Sequence, residues 1–260
     1  MTIGFIGAGK MAEGILSAIE ERKGVVMAEK VAERAAEMSR KYGVATTGDA
    51  KVVAKKAKFF FLAVRPQDVD AVAAAVKPIL TEKHTLVSIV AGKTLAKLRK
   101  AFGAKANLVR VMPNLALRAN AGMCAICPAA KTPAKDVKLV EKILGGAGAT
   151  VVLKEKDFDA VTALSGSGPA YFAYMEEAMV EGGVKLGLKP KVARLLAEQT
   201  MYGTAKFLRE SGMELRPFIE GVCTKGGTTA AGMEKLDVPK FKQIVAATLA
   251  AAAKRSRELA

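Results

Sequence analysis

Two glycines, one residue apart and directly after a short apolar run, constrain this chain more than any other feature. Ile3-Gly-Phe-Ile6 reads as a buried strand, Gly7 and Gly9 follow, and residues 10–22 continue as a helix with an apolar stripe at Met11, Ile15, Leu16 and Ile19. Strand, glycine turn and helix, in that order, are what a dinucleotide-binding turn requires. Gly7 permits the tight turn, and Gly9 lets the backbone approach a pyrophosphate closely. The helix that follows offers unpaired N–H groups and the positive end of its dipole to that anion. At the third fingerprint position stands Ala12, still small enough for close helix–strand packing. The competing explanation is an ordinary tight turn, and the flanking strand and helix are what argue against it. Ile6, Gly7, Ala8, Gly9, Lys10 and Met11 are the first candidate coenzyme contacts.

The rest of the N-terminal half repeats strand and helix. Strands are expected at 2–6, 25–28, 59–63, 85–90, 107–112, 122–127 and 150–153, and helices at 10–22, 30–41, 49–56, 67–77, 94–102 and 133–145. Runs such as Phe59-Phe-Phe-Leu-Ala63 and Leu86-Val-Ser-Ile-Val90 are apolar without alternation. That pattern belongs to strands covered on both faces, hence to a parallel sheet with helices on each side. Beyond residue 155 no strand is legible; apolar positions recur at helical spacing, with helix starts signalled at Pro169, Pro190 and Pro239. The expected fold is α/β, a Rossmann-type doubly wound parallel sheet over residues 1–155 followed by an all-helical domain over residues 156–260. Met175, Met179 and Met201 fall at core-like spacing on those helices and are expected to fill space. The Ala- and Gly-rich helix faces suit close packing at a dimer interface.

Composition narrows the field. No charged segment leads into an apolar one at the N-terminus, and no apolar run approaches the ~18 residues that span a membrane, so a cytoplasmic protein without membrane contact is expected. The chain has 260 residues and a formal charge of +16, from 41 Lys and Arg against 25 Asp and Glu. The basic residues are scattered along amphipathic helices and not interleaved with aromatics, which reads as solvated helix faces rather than a nucleic-acid surface. The three cysteines make no disulfide framework. Cys124 and Cys127 lie on an expected strand, where a spacing of three sends them to opposite faces, and nothing nearby completes a metal set. The one histidine, His84, has polar neighbours in sequence and is expected at the surface. Lys254-Arg-Ser-Arg257 reads as a solvated helix end.

Ligands of a doubly wound sheet bind at the carboxyl ends of its strands. Glu29 lies 20 residues after Gly9, where a carboxylate can bond the ribose hydroxyls of NAD, and adjacent Lys30 could meet the 2′-phosphate of NADP; the two point opposite ways. The next candidate loops are Ala63-Val64-Arg65-Pro66 and Ala91-Gly92, then Asn114 at the tip of Arg110-Val-Met-Pro-Asn114. Two loops of the helical half follow. Ser165, Gly166 and Ser167 interrupt a helical pattern before Pro169, with Ser167 or Gly168 as the helix cap. Gly226, Gly227, Thr228 and Thr229 open another helix, whose bare N-terminus suits a carboxylate.

These stretches together resemble pyrroline-5-carboxylate reductase. The resemblance runs through Gly4-Phe-Ile-Gly-Ala-Gly-x-Met-Ala12, Ala63-Val-Arg-Pro66, Val87-Ser-Ile-Val-Ala-Gly92, Arg110-Val-Met-Pro-Asn114, Asn120-Ala-Gly-Met123, Leu164-Ser-Gly-Ser-Gly-Pro-Ala-Tyr171 and Gly226-Gly-Thr-Thr229, in register over nearly the whole chain. It implies a coenzyme domain and a helical dimerisation domain, a homodimer or a larger assembly of dimers, and reduction of a small cyclic imine to proline with NADH or NADPH. It further implies that Gly226 to Thr229 hold the substrate carboxylate with Ser165 and Gly166 close by, and that the Thr229 hydroxyl bonds the substrate nitrogen. Lys225, Leu115 and Ala116 depart from the family pattern and put the identity of the imine in question. Asp49-Ala50 also departs from that pattern, at a place where an asparagine often stands near the adenosine. A β-hydroxyacid dehydrogenase would need a lysine–asparagine pair that Ala170-Tyr-Phe-Ala-Tyr-Met175 lacks. Two rival functions stay open on the residues alone: reduction of a different cyclic imine, and non-catalytic binding of a nucleotide or nucleic acid.

Overall fold

The computed structural model describes residues 1–259. The first half alternates strand and helix, with β3 as a strand beyond the expected ones: β1 (Ile3–Ile6), α1 (Lys10–Ser17), β2 (Val25–Ala28), α2 (Ala32–Tyr42), β3 (Ala45–Thr47), α3 (Ala50–Lys56), β4 (Phe59–Leu62) and α4 (Val69–Val76). It continues with β5 (Thr85–Ser88), α5 (Leu95–Phe102), β6 (Asn107–Pro113), β7 (Gly122–Pro128), α6 (Ala134–Gly145) and β8 (Gly148–Val152). The strands form one sheet in the order β3-β2-β1-β4-β5-β6-β7-β8. Strand order reverses at β1, between β2 and β4, so the crevice above their carboxyl ends is the natural ligand position.

Pairing is parallel from β3 through β6, but β7 runs antiparallel to β6, and β8 is parallel to β7. The expected doubly wound sheet is present and mostly parallel, with this one reversal. Only residues 114–121, with one 3₁₀ turn at Leu115–Ala119, join β6 to β7; a parallel pair needs a crossover of a dozen residues or more.

Both sheet faces are covered. Phe5, Met27 and Phe61 face a core shared with Ile15 and Leu16 of α1 and Leu144 of α6, whereas Ile6, Phe60 and Leu62 face one shared with Val53, Val72 and Phe102 of α3, α4 and α5. Neighbouring residues of one strand thus enter different cores, which is why these strands show no polar alternation. The Phe5 and Phe61 rings stack at 4.9 Å. Cys124 and Cys127 are buried and belong to different clusters, as their spacing requires. Burial pushes the Cys124 thiol up to about 11, which leaves it protonated.

Two details differ from the sequence reading. Helix α1 stops at Ser17, short of residue 22, and Arg22 donates to the freed carbonyls of Leu16 (3.2 Å) and Ser17 (2.8 Å). His84 is fully buried, not exposed. Its Nδ1 accepts the Thr81 N–H (2.9 Å) and its Nε2 lies 3.0 Å from the Ala54 carbonyl, so the ring is neutral with the proton on Nε2. Burial, helped by the Lys58 cation, lowers its pKa.

The remaining helices are α7 (Phe158–Val161), α8 (Gly168–Lys185), α9 (Pro190–Ser211), α10 (Leu215–Val222), α11 (Thr228–Leu236) and α12 (Pro239–Leu259). No strand follows β8 among the described residues. The chain divides into two compact units, Met1–Ser167 together with the chain from Ala252, and Gly168–Ala251. In the second unit the only buried residues are Gly168, Ala193 and Ala197. Phe172, Tyr174, Leu195 and Tyr202 are exposed. Met175 and Met179 are exposed as well, at 38% and 52%, which corrects the expectation that they fill a core of the chain.

Candidate active site

The site is built around the turn after β1. Gly7 has φ +98, and a Cβ there would stand 2.5 Å from the Ala63 carbonyl oxygen, so no other residue fits. Its N–H donates to the Ala28 carbonyl and the Ala63 N–H donates to that of Ile6, both at 2.8 Å, which binds the ends of β1, β2 and β4 together. Gly9 precedes α1 in extended conformation with no side-chain cap, and nothing lies within 4 Å of where its Cβ would be. The first N–H groups of α1 have no acceptor within the helix. An anion could approach them from that open side.

A cavity of about 430 Å³ lies in front of this turn. Of the expected coenzyme residues, Ile6, Gly7, Ala8, Gly9, Glu29, Lys30, Ala63, Val64 and Arg65 line it. Lys10, Met11, Pro66, Ala91 and Gly92 do not. Lys10 is exposed on the first turn of α1, Met11 packs against the core, and Pro66 opens a 3₁₀ turn that leads into α4. Val31, Gly48, Asp68 and Val72 also line the cavity, and no motif in the sequence marks them; Ala50 lines it too, where the family resemblance places a residue near the adenosine. Gly48 and Ala50 arrive through β3, a strand of three residues that is too short to show a period.

The central residue of the turn is held on both sides. The Ala8 N–H donates to Glu29 Oε2 (2.9 Å), and the Ala8 carbonyl accepts from Arg34 Nε (2.8 Å). Arg34 also pairs with Glu13 (2.6 Å), whose other oxygen takes Lys41 (2.8 Å) and the Tyr42 hydroxyl (3.0 Å). Hydrogen bonds from Lys41, Arg34 and Tyr42 hold the Glu13 carboxyl down at about 2. Sequence reasoning misses this network on α1 and α2; an acidic residue in the first turn of the helix is its one local signal.

Gly92 has a different neighbour from the one its sequence suggests. Its φ is +70, and a Cβ would stand 3.0 Å from the carbonyl oxygen of Leu259 at the end of α12. The same helix end is tied down where Ser256 donates to Asp159 (2.7 Å), so it is not simply solvated.

A second group gathers at the end of β6. Asn114 accepts the Met123 N–H at Oδ1 (3.1 Å) and donates from Nδ2 to Ser165 Oγ (3.4 Å). Ser165 and Gly166 lie in a π turn, Thr162–Gly166, so the Ser-Gly-Ser stretch widens the helical path rather than breaking it. Arg110 is buried, paired with Glu155 (3.0 Å) and placed over the Phe158 ring, which makes it part of the scaffold. Leu115 is exposed and Ala116 half-buried.

Within the helical unit, Gly226 has φ +72 and Gly227 precedes α11 with no side-chain cap. Thr228 is exposed, Thr229 half-buried and Lys225 exposed. The Gly227 N–H donates to the Thr224 carbonyl (2.9 Å), and the N–H groups that open α11 are left free with a hydroxyl beside them.

Comparison with known proteins assigns this architecture. Residues 155–259 match a family model described as pyrroline-5-carboxylate reductase dimerisation, and residues 2–92 match one described as NADP oxidoreductase coenzyme F420-dependent. A pyrroline-5-carboxylate reductase of Pisum sativum is 35% identical over 263 residues, covering 99% of this chain and 96% of the relative. One from a Synechocystis species is 34% identical, covering 99% and 97%. Among solved structures, a pyrroline-5-carboxylate reductase from Coxiella burnetii aligns with TM-score 0.96 and 29% identity, covering 100% of this chain and 98% of that one. A pyrroline carboxylate reductase of Plasmodium falciparum with NADP bound aligns with TM-score 0.86 and 27% identity, covering 100% and 98%. The chain belongs to the pyrroline-5-carboxylate reductase family.

Proposed function

We propose that the chain reduces 1-pyrroline-5-carboxylate to L-proline, with NADH or NADPH as donor and a protonated cyclic imine as acceptor. The observation that carries this reading is the cavity at the β1 turn, with its glycine-only corner and open helix N-terminus, in a chain that aligns with this family end to end. Bound NAD(P)H supplies the hydride. The chain's own residues bind, orient and exclude water. N–H groups at the start of α1 neutralise the pyrophosphate, with Lys10 and Met11 contributing their backbone. Glu29 and Lys30 meet the adenosine ribose, and Ala63 to Pro66 with Ala91 and Gly92 carry the nicotinamide side.

The helical half, residues 156–260, supplies the substrate loop. The N–H groups of Gly226, Thr228 and Thr229 take the carboxylate, while that of Gly227 donates to the Thr224 carbonyl (2.9 Å) and holds the turn; the Thr229 hydroxyl bonds the ring nitrogen. Ser165 and Gly166 complete the substrate contacts. A protonated imine brings its own proton, so no strong general acid is required; neutral His84 stays in the scaffold. The exposed apolar side chains of the helical unit are covered in a homodimer or an assembly of dimers. The proposed setting is the cytoplasm; no helix among the described residues is long and apolar enough to cross a membrane.

A second reading, another cyclic imine as substrate, is favoured by Lys225 beside the substrate loop and by exposed Leu115. The test follows NADH and NADPH absorbance separately with pyrroline-5-carboxylate, pyrroline-2-carboxylate and piperideine analogues. Oxidation that requires pyrroline-5-carboxylate and yields an equal amount of L-proline is expected. Preference for another ring establishes the second reading. Coenzyme binding with no oxidation on any ring, together with steeply salt-dependent DNA binding, contradicts both.

A further inference from the structure

Two acidic side chains line the coenzyme cavity, Asp68, which is paired with Arg65, and Glu29, whose position is fixed from the turn itself. Glu29, directly after β2, accepts the Ala8 N–H at Oε2 (2.9 Å) and the Val31 N–H at Oε1 (3.0 Å). Both oxygens keep lone pairs for a further donor. The cations around it are committed or solvated. Arg34 directs Nε to the Ala8 carbonyl, Nη2 to Glu13 (2.6 Å) and Nη1 to Glu37 (2.7 Å). Arg65 is 77% exposed and paired with Asp68 (3.2 Å). Lys30 lines the cavity on an exposed side chain.

We propose that Glu29 sets the coenzyme preference of this chain in favour of NADH, by accepting a hydrogen bond from the free 2′-hydroxyl of the adenosine ribose and excluding a 2′-phosphate. The proposal rests on the reading of this cavity as the coenzyme site. A hydroxyl can donate to the carboxylate; a phosphate cannot, and it brings like charges together. Nor can the side chain swing aside without consequence, because the Ala8 N–H it holds belongs to the pyrophosphate turn itself. Admitting a 2′-phosphate therefore both adds repulsion and loosens the turn. Lys30 offsets little of this, being a flexible, strongly hydrated charge screened by salt.

The experiment compares kcat/KM for NADH and NADPH in the wild type and in Glu29→Gln. The wild type is expected to favour NADH by about tenfold or more, a difference of one good polar contact. Glu29→Gln is expected to move the ratio towards NADPH by about tenfold, chiefly through a lower KM for NADPH. Preference of the wild type for NADPH overturns the proposal. So does an equal loss with both coenzymes in Glu29→Gln, which would leave the side chain with only its structural role on the turn. Calorimetric titration of the wild type with adenosine 5′-monophosphate and adenosine 2′,5′-bisphosphate gives a reading that needs neither turnover nor a stable variant. Tighter binding of the monophosphate supports the proposal, and tighter binding of the bisphosphate, or of neither, overturns it. Monophosphate preference without turnover on any imine would count against the reaction and leave the ribose contact standing.

Discussion

The sheet unit and the helical unit solve the problem of burial differently. In the sheet unit the large side chains of β1, β4 and β5 are sealed by helices of the same chain; Phe5, Phe60 and Phe61 have no exposed surface. The helical unit buries two alanines and a glycine and leaves Phe172, Tyr174, Leu195 and Tyr202 in contact with solvent. A chain that can close one hydrophobic core has no physical reason to leave a second open. The sheet is completed by its own helices; the helices are not, and on the proposed function a second copy completes them. The difference also predicts a division of labour, with coenzyme binding intrinsic to the sheet unit and chemistry dependent on the helical one.

The sharpest break of this comparison is a charge in the exposed apolar face. Phe172→Asp combined with Leu195→Asp is expected to raise the dimer dissociation constant by about a thousandfold or more, since central interface side chains cost about 2–4 kcal/mol each. Light scattering should report the mass of one chain, and coenzyme binding should change by less than about threefold. An unchanged mass would place those side chains outside the interface. On the sheet side, Gly7→Val puts a side chain against the Ala63 carbonyl at a φ of +98. Calorimetry should find coenzyme binding weakened by about 100-fold or more with the dimer intact.

Smaller effects probe the sheet unit's own stability. The Glu13 carboxyl sits at about 2 in the folded chain against 4.5 ordinarily. Its stabilisation is present above pH 4.5 and lost as pH falls towards 2. Glu13→Gln should therefore cost about 1–3 kcal/mol at pH 7 in denaturant titrations, with the gap to wild type closing near pH 2. The smallest effect concerns His84. Its folded pKa is lowered, so unfolding takes up a proton and stability declines as pH falls below 6.5. Tm should drop between pH 7 and pH 5.5, and the drop should be shallower in His84→Asn.

The same contrast explains what is legible in the sequence. The β1 turn can be read because its constraint is local: Gly7, Gly9 and their flanking elements lie within one short stretch. The doubly wound sheet follows from apolar runs that carry their burial in their composition. The Arg34 bond to Ala8 cannot be read, since 26 residues separate them and only the packing of α2 brings them together. His84 misleads because its neighbours in sequence, Lys83 and Thr85, are not what surrounds it; Ala54 and Thr81 are. Met175 and Met179 mislead for a related reason. An apolar stripe tells that a helix face is covered, and it does not tell whether the cover comes from the same chain.

The division of labour is tested most directly by Thr229→Val, measured for both coenzyme binding and turnover of pyrroline-5-carboxylate. A fall in kcat/KM of about 10–100-fold is expected, the cost of roughly 1–3 kcal/mol for one lost hydrogen bond, with the coenzyme dissociation constant unchanged. Unaltered kcat/KM, or coenzyme binding lost in step with turnover, would contradict that division of labour.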